Sequence, residues 1–410
     1  MEDAFPMKDA AQKLSVCAVS VASADGIGGL SSYVRFLLAH LAPGCMVSAA
    51  ARSRVVSFQA DYAAQEPVGT LDHGAFQTRL VAPRAAYRPL LRQMLRLITR
   101  PRWRALGVAV FRAAFRKSLA AAIPPQTQIV HYVGAGWDLL GFAALAEARR
   151  RGAVFSVLPA IHPGSWGDKP LDVLLYQQAD AVLVLSEHER EHLIGLGVRR
   201  DRLHVLGLAP AQSAAGDGRR FREKHGLGDR PLVLFVGGKD RSHGYHAVCE
   251  AMPPLLAARP DACLVAIGSD REPPYPPVPT ASLLDLGEAD EQVKADAQAA
   301  CDVFCMPARD ASFGIAYVEA WVYGKPVIGG PAPAVRELIT DDVNGFCVPQ
   351  DTDALRDALV KLLSDPARAQ RLGAAGRALQ QSRYTWEIVA DAHRQVWEDA
   401  IRGKTAQETL

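Results

Sequence analysis

Short apolar runs alternate with longer stretches of helical periodicity along the whole chain. Each run has the length and the apolar content of a buried strand, and helical segments follow that could cover the sheet. This alternation is typical of parallel sheets connected by crossover helices, so it predicts an α/β protein. The predicted strands are residues 14–21, 128–133, 154–158, 181–186, 203–206, 231–236, 263–267, 303–306 and 326–328.

The predicted strands form two groups, separated by a segment rich in glycine, alanine and charge at residues 209–230. A length of 410 residues also favours two domains. We predict an N-terminal Rossmann-like domain over residues 1–207 and a C-terminal Rossmann-like domain over residues 208–383, facing each other across a cleft. A last helix over residues 384–403 is expected to pack back on the N-terminal domain.

Composition narrows the class of protein further. Hydrophobic residues make up 49% and charged residues 22% of the chain, which fits a folded protein and not a disordered one. No apolar stretch approaches the roughly 20 residues of a spanning helix, and the polar N-terminus does not resemble a secretory signal. The seven scattered cysteines are typical of reduced core residues. We therefore expect a cytoplasmic protein.

Two glycine-rich loops are candidates for phosphate binding. Gly28 and Gly29 lie between the first strand and the first helix, where a helix N-terminus offers free N–H groups. An ordinary tight turn is the alternative. Gly134, Gly136 and Gly141 follow another strand, but their spacing does not match the dinucleotide fingerprint. We therefore expect no nicotinamide cofactor.

Residues 188–192 match the zinc-protease pattern H-E-x-x-H literally. The third ligand is missing, because Val198 stands where a further histidine would be and the next glutamate is Glu223. The pattern is also as charged as the start of a solvated helix. We therefore expect no metal site here.

Residues 301–328 hold the richest set of candidate side chains. Their pattern predicts a strand, a loop of small residues, a helix from about Phe313 and a second strand. Glu319 falls in the second turn of that helix, near the end of the sheet where α/β proteins bind ligands. A carboxylate there can accept hydrogen bonds from hydroxyl groups. A solvated helix glutamate is the alternative.

This stretch resembles the donor-binding motif of family 4 glycosyltransferases, which are retaining enzymes of the GT-B fold. The resemblance extends in the same order over nearly the whole chain, and it also accounts for residues 188–192 as a surface helix. The further matching segments are 28–30, 180–187, 234–237, 337–349 and 384–386.

The resemblance implies a nucleotide sugar as donor substrate, with no metal or other cofactor. It assigns Glu319 to the ribose hydroxyls and His162 to the donor sugar, which it would face across the cleft. A loop histidine without a role is the alternative for His162. The backbone amides expected near the diphosphate and sugar are those of Ser312, Phe313, Gly314 and Ile315.

Three charged positions of the family pattern are absent. The first glutamate of the motif falls on Ala311, the arginine after the glycine that opens the second domain falls on Gly238, and the lysine before the next glycine falls on His243. Neighbouring residues offer replacements. These are Asp310, which neighbours Ala311 and is a candidate catalytic group as His162 is, and Lys239, Arg241 and His243 as donor-binding groups.

Two hypotheses follow from these departures. The first is an active transferase that moves a sugar, with retention, to a lipid-linked or other glycan acceptor. The second is a catalytically degenerate GT-B protein that acts as a binding or partner subunit. One lost electrostatic contact to the leaving group can cost ~3 kcal/mol of transition-state stabilisation. Nucleotide binding distinguishes the two.

The net charge of +2 conceals a basic segment. Residues 73–137 contain eleven Lys or Arg and no Asp or Glu, so the rest of the chain carries −9. Within the basic band, residues 79–117, arginines recur every four residues and a tryptophan follows; these are Arg88, Arg92, Arg96 and Trp103. A helix with arginine and apolar faces suits an anionic membrane that carries the acceptor.

The alternative for the basic band is a helix whose apolar face packs into its own domain. Nucleic acid is not an expected partner, because no recognised binding module or stacking platform accompanies the charge. The expected location is therefore the cytoplasm, with peripheral attachment to the inner face of the membrane.

Overall fold

The computed structural model describes residues 13–26, 29–54, 62–63, 68–211 and 215–408. Its described part contains two separate sheets, each flanked by helices.

The first sheet has eight strands in the order β3-β4-β2-β1-β5-β6-β7-β8. All neighbours run parallel except β3 and β4, which are antiparallel. The strands are β1 (Ser15–Ala22), β2 (Met46–Ser53), β3 (Thr70–Asp72), β4 (Gln77–Leu80), β5 (Ile129–Val133), β6 (Val154–Leu158), β7 (Ala181–Val184) and β8 (Leu203–Val205). The helices are α1 (Gly29–Leu41), α2 (Arg88–Arg92), α3 (Met94–Ile98), α4 (Arg104–Ala122), α5 (Leu140–Arg150), α6 (Pro170–Gln177) and α7 (Glu187–Gly195).

The second sheet has six parallel strands in the order β11-β10-β9-β12-β13-β14. The strands are β9 (Leu232–Val236), β10 (Cys263–Ile267), β11 (Leu283–Asp285), β12 (Val303–Met306), β13 (Val327–Gly329) and β14 (Phe346–Cys347). The helices are α8 (Gly218–Lys224), α9 (Tyr245–Ala258), α10 (Glu291–Ala300), α11 (Ile315–Val322), α12 (Pro333–Leu338), α13 (Thr352–Ser364), α14 (Pro366–Arg383) and α15 (Trp386–Glu408).

The central strands of both sheets are buried along their whole length, because helices cover both faces. Every residue of β5, β6 and β7 is buried, and so is every residue of β10 and β12. Continuous burial of this kind is expected for parallel sheets with crossover helices. The structure confirms the predicted α/β architecture of two Rossmann-like sheets.

Strand order reverses once in each sheet. In the first sheet the reversal lies between β1 and β5, and in the second it lies between β9 and β12. Loops that follow two such strands leave the sheet on opposite faces, so a crevice opens between them at the carboxyl ends. The loops after β9 and β12 hold most of the candidate donor-binding residues.

The last helix, α15, packs against α1 and β6 of the first sheet. A buried chain of hydrogen bonds fastens it there. Trp397 Nε1 donates to Ser156 Oγ at 3.0 Å, and Ser156 Oγ contacts His131 Nδ1 at 3.1 Å. The Tyr33 hydroxyl lies 3.0 Å from His131 Nε2 and 2.6 Å from His393 Nε2.

One arrangement of protons satisfies this buried chain. His393 Nδ1 lies 2.6 Å from the carbonyl oxygen of Val389, so this nitrogen donates and Nε2 accepts from Tyr33. The Tyr33 oxygen is then free to accept from His131. Burial lowers the pKa of His131 well below its usual value and that of His393 to about 4, so both rings are neutral at pH 7. The helix is therefore held by neutral polar groups that are fully paired.

Candidate functional site

His162 and Asp310 meet between the two sheets. His162 lies in the loop that follows β6 and Asp310 in the loop that follows β12, 148 positions later in the chain. The distance from His162 Nδ1 to Asp310 Oδ1 is 3.0 Å, and about a third of each side chain is exposed. A carboxylate at Nδ1 fixes the ring orientation and leaves the other nitrogen to act as an acceptor when the ring is neutral. The His162–Asp310 pair is therefore accessible to a ligand.

The loop that carries His162 is fastened by a buried carboxylate. The neighbouring amide, Ile161 N, donates to Glu189 Oε1 at 2.8 Å, and Leu185 N donates to Oε2 at 2.6 Å. Burial raises the pKa of the Glu189 carboxyl to about 8, although these two bonds oppose the shift. The glutamate of the H-E-x-x-H pattern is therefore a buried structural group of α7 and not a surface base.

Glu319 lies in the second turn of α11 and is 2% exposed. Lys294 Nζ donates to its Oε1 and Gln298 Nε2 to its Oε2, each at 3.2 Å. Both partners belong to α10 and were missed by the sequence analysis. Their i, i+4 spacing places them on one helix face, but nothing in the sequence says that this face meets α11. Glu319 is thus a paired carboxylate and not a solvated one.

The loop before α11 enters the helix through a glycine in the left-handed conformation. Gly314 has φ of 105°, in the left-handed region that side chains other than glycine rarely adopt, and Ile315 starts the helix. Phe313 is buried, and its ring packs edge-on against Tyr384 with centroids 5.3 Å apart. Ser312 is half-buried beside it. The first amides of α11 therefore come after the loop that follows β12, at the carboxyl end of the sheet.

In the loop after β9, Lys239 was predicted to bind the donor, but its side chain is paired within the protein. Its side chain is 1% exposed, and Nζ lies 2.5 Å from Asp285 Oδ1 and 3.1 Å from Asp270 Oδ1. Burial alone would lower the pKa of Lys239, but these two carboxylates raise it, so the ammonium stays charged and committed to them. Lys239 is therefore not a free cation for a donor. Its long side chain reaches back towards β11.

The other two candidates in this loop are more accessible. His243 Nδ1 lies 2.7 Å from Asp240 Oδ1, and its side chain is 27% exposed. Burial acts to raise the pKa of Asp240, but the bonds from His243 and Ser242 outweigh it and lower that pKa. Arg241 is exposed. The loop thus offers an exposed guanidinium and a histidine already paired with a carboxylate.

The glycine loop of the first domain is only partly described. Gly28 lies outside the described residues. Gly29 starts α1 and is exposed, and among the described residues, other than its chain neighbours and the backbone of its own helix, none has an atom within 4 Å of a Cβ added there.

Two further contacts connect the domains. Arg35 of α1 forms an ion pair with Glu291 of α10. Glu337 of α12 accepts hydrogen bonds from the backbone N–H groups of Glu187 and His188 at 2.8 and 2.6 Å. A carboxylate is favourable at this place because the N-terminus of α7 carries a partial positive charge.

The basic band does not form the single helix that its arginine spacing predicted. Arg88 and Arg92 lie on α2, Arg96 lies on α3, and Gln93 separates the two helices. Leu91, Met94 and Ile98 are buried in the domain, whereas Leu90, Leu95 and Trp103 are 48%, 48% and 42% exposed. Some apolar side chains of the band therefore pack inward, as the alternative proposed, and others face solvent.

Within the described ranges, no helix combines the length and the apolar character needed to cross a bilayer. Nor do the described residues contain three or more His, Cys, Asp or Glu side chains grouped so that they could hold a metal ion.

Two Rossmann-like sheets with a polar site between their loops define the class of GT-B proteins. The solved structure of a sucrose-phosphate synthase from Thermosynechococcus elongatus superposes with a TM-score of 0.71, covering 95% of this chain and 100% of that one. The two sequences are 21% identical, so this similarity concerns the fold alone. The predicted GT-B fold is confirmed.

The sequence comparisons identify the family. Residues 217–379 match the family model of glycosyl transferases group 1. A Mycolicibacterium smegmatis protein named GDP-mannose-dependent alpha-(1-6)-phosphatidylinositol monomannoside mannosyltransferase is 33% identical over 281 residues, or 60% of this chain and 70% of the relative. This chain belongs to glycosyl transferases group 1, the family 4 glycosyltransferases that its sequence resembles.

A second relative matches over a shorter region. The GDP-mannose-dependent monoacylated alpha-(1-6)-phosphatidylinositol monomannoside mannosyltransferase of Corynebacterium glutamicum is 36% identical over 182 residues, or 42% of this chain. The chain spans about half the length of this relative, 48%.

Proposed function

We propose that this protein is a retaining glycosyltransferase that transfers mannose from GDP-mannose to a phosphatidylinositol mannoside in a membrane. The observation that carries the proposal is the contact between His162 and Asp310, which joins a loop of the first sheet to a loop of the second at 3.0 Å. A transferase has to hold two substrates in reactive geometry, and side chains from both sheets that meet at one place can contribute to this. The names of the two relatives supply the donor and the acceptor class.

The donor is assigned to the second domain. Glu319 is proposed to accept the ribose hydroxyls, and its contacts with Lys294 and Gln298 hold the carboxylate in one orientation. The first amides of α11, from Ile315 onward, are proposed to face the diphosphate, because an unpaired helix N-terminus favours an anion. We assign Arg241 and His243 of the loop after β9 to the same donor site.

The reaction proposed here breaks the bond between the anomeric carbon and the diphosphate oxygen. The acceptor hydroxyl oxygen bonds to the same carbon on the same face, and its proton passes to the departing phosphate oxygen. His162, held by Asp310, would support the charge that develops on the sugar. The step needs no oxidant, reductant or metal to balance.

The acceptor is assigned to the first domain and to a membrane. None of the eleven basic residues between positions 73 and 137 forms an ion pair with a carboxylate of the described residues. Each basic residue near an anionic surface contributes about 1 kcal/mol of attraction. The exposed leucines and Trp103 of the basic band could enter the interface. We propose peripheral attachment to the cytoplasmic face of the membrane.

The function is tested by a transfer assay. Purified protein is incubated with GDP-mannose and with vesicles that contain phosphatidylinositol mannosides, and the lipid products are resolved by mass spectrometry. We expect a product heavier by one hexose. A panel of other nucleotide sugars serves as the control for donor choice. Absence of any product, together with no thermal stabilisation by any nucleotide sugar, would contradict the proposal.

Membrane attachment is tested by flotation with anionic vesicles. We expect the protein to float at low salt and to be released at high salt, because surface electrostatics are screened. The double variant Arg92→Glu/Arg96→Glu should bind at least tenfold more weakly. Arg199→Glu/Arg200→Glu makes the same change of charge outside the basic band and should bind like the unmodified protein. Equal loss in both variants would contradict a role for the band.

A further inference from the structure

The family pattern has an arginine at the position of Gly238, so the loop after β9 lacks a cation there. A different arginine occupies the space. A Cβ atom added to Gly238 would lie 2.5 to 2.7 Å from Nε, Cζ and Cδ of Arg271, far inside van der Waals contact. The φ angle of Gly238 is outside the left-handed region. A larger residue at this position would displace the Arg271 side chain from the place it occupies here, whereas the backbone conformation does not demand glycine.

Arg271 belongs to the loop after β10, and its backbone is anchored. Its N–H group lies 3.2 Å from the hydroxyl oxygen of Tyr275 and 3.3 Å from the carbonyl oxygen of Lys239. The preceding residue, Asp270, pairs with the buried ammonium of Lys239 and forms a β-bridge with it. Lys239, although unavailable to a ligand, thus positions the loop that brings Arg271 over Gly238.

The guanidinium of Arg271 is only weakly engaged. Among the described residues it pairs with Asp240 alone, with Nη1 to Oδ2 at 3.4 Å, which is long for a hydrogen bond. The other oxygen of Asp240 is already taken by His243 and Ser242. The Arg271 side chain is 53% exposed. Most of its five N–H donors therefore remain for a ligand.

Gly238 and the Arg271 side chain over it lie next to the proposed donor site. Gly238 follows β9, which pairs with β12, the strand that leads to Asp310. The two strand ends are close, because a Cβ atom on Gly237 would lie 3.3 Å from Sδ of Met306. A cation over Gly238 thus lies at the reversal of strand order, where anionic ligands of such sheets bind.

We propose that Arg271 binds the diphosphate of the nucleotide sugar and replaces the arginine that the chain lacks at position 238. The inference depends on the proposed function. A guanidinium can hold two phosphate oxygens at once, and its fixed charge stabilises the diphosphate as it leaves. The loop after β10 would thus supply the cation that the family pattern has in the loop after β9, and Gly238 leaves space for the Arg271 side chain.

The test compares the dissociation constants of GDP and GMP. Arg271→Ala is expected to weaken GDP binding about 10- to 100-fold, the effect of losing one charged hydrogen-bonding group, and to weaken GMP binding less. Arg271→Ala/Gly238→Arg is expected to recover GDP affinity, because it returns the arginine to the position of the family pattern. Arg356→Ala, which removes an ion-paired arginine from α13, serves as the control.

The other outcomes separate the two proposals. If the unmodified protein binds neither GDP nor UDP, the proposed function fails. If it binds GDP and Arg271→Ala binds equally well, only the role of Arg271 is overturned. Equal loss of GDP and GMP, or loss without recovery in the double variant, would assign Arg271 to loop structure instead. Should the single variant be unfolded, recovery of GDP binding by the double variant decides the question.

Discussion

Replacing Asp310 by alanine is expected to lower kcat for sugar transfer about 100-fold or more, and to change the dissociation constant of the donor only a few-fold. The carboxylate is the partner that orients His162, and removing one positioned electrostatic group lowers kcat about 100- to 1,000-fold in other enzymes. The effect should appear in kcat because the pair is assigned to the charge that develops in the transition state. Steady-state kinetics with GDP-mannose, beside calorimetric donor binding, measure both quantities.

A second substitution that restores the lost activity would strengthen this test. The family pattern has its glutamate at position 311, so Asp310→Ala/Ala311→Glu should recover part of the lost kcat if Asp310 replaces that group. Asp353→Ala removes an exposed aspartate of α13 and should leave kcat unchanged. If Asp310→Ala turns over normally, the contact with His162 has no catalytic role and the main support for the proposed function is lost.

Glu319→Ala is expected to raise the dissociation constant of GDP-mannose at least about 100-fold. A buried carboxylate that binds hydroxyl groups contributes roughly 1.5–3 kcal/mol for each charge-assisted bond, and two such bonds are proposed to the ribose. Calorimetry or a thermal-shift titration measures the change. GDP and GDP-mannose should lose affinity together, since both contain the ribose.

The matched control separates ligand binding from structure. Glu319 is also the partner of Lys294, at 3.2 Å, so its removal leaves that ammonium unpaired. Lys294→Met removes the same ion pair but keeps the carboxylate, and it should weaken the donor much less than Glu319→Ala. Equal losses in the two variants, accompanied by equal drops in Tm, would mean that Glu319 supports the packing of α10 on α11 and does not contact the ribose.

The strands of the central sheets were predictable because each is a short apolar run. The prediction for residues 303–306 coincides with β12, and those for residues 14–21 and 231–236 differ from β1 and β9 by a single position. The apolar pattern did not predict β2, β3, β4, β11 or β14. β2 is built largely of alanine and serine, and the other four are two to four residues long and partly exposed, so none has the pattern of a buried strand.

In the basic band, the periodicity of the arginines gave a wrong prediction of secondary structure. Arginines spaced by four predicted one helix, yet α2 and α3 are separate. Leu91, Met94 and Ile98 are buried in the same cluster as residues of α4. Packing against a neighbour, and not the local pattern, set the path of this segment.

By itself the sequence determined the alternation of strands and helices, their division into two groups, and which loops carry the candidate donor-binding residues. These depend on residues a few positions apart, whose hydrogen bonds and side-chain spacing are local. Only the tertiary structure decided that His162 contacts Asp310, that Lys239 forms ion pairs with two aspartates, and that Arg271 lies over Gly238. Such contacts join loops from different strands or different domains, so they depend on how whole sheets and helices pack, which no local pattern specifies.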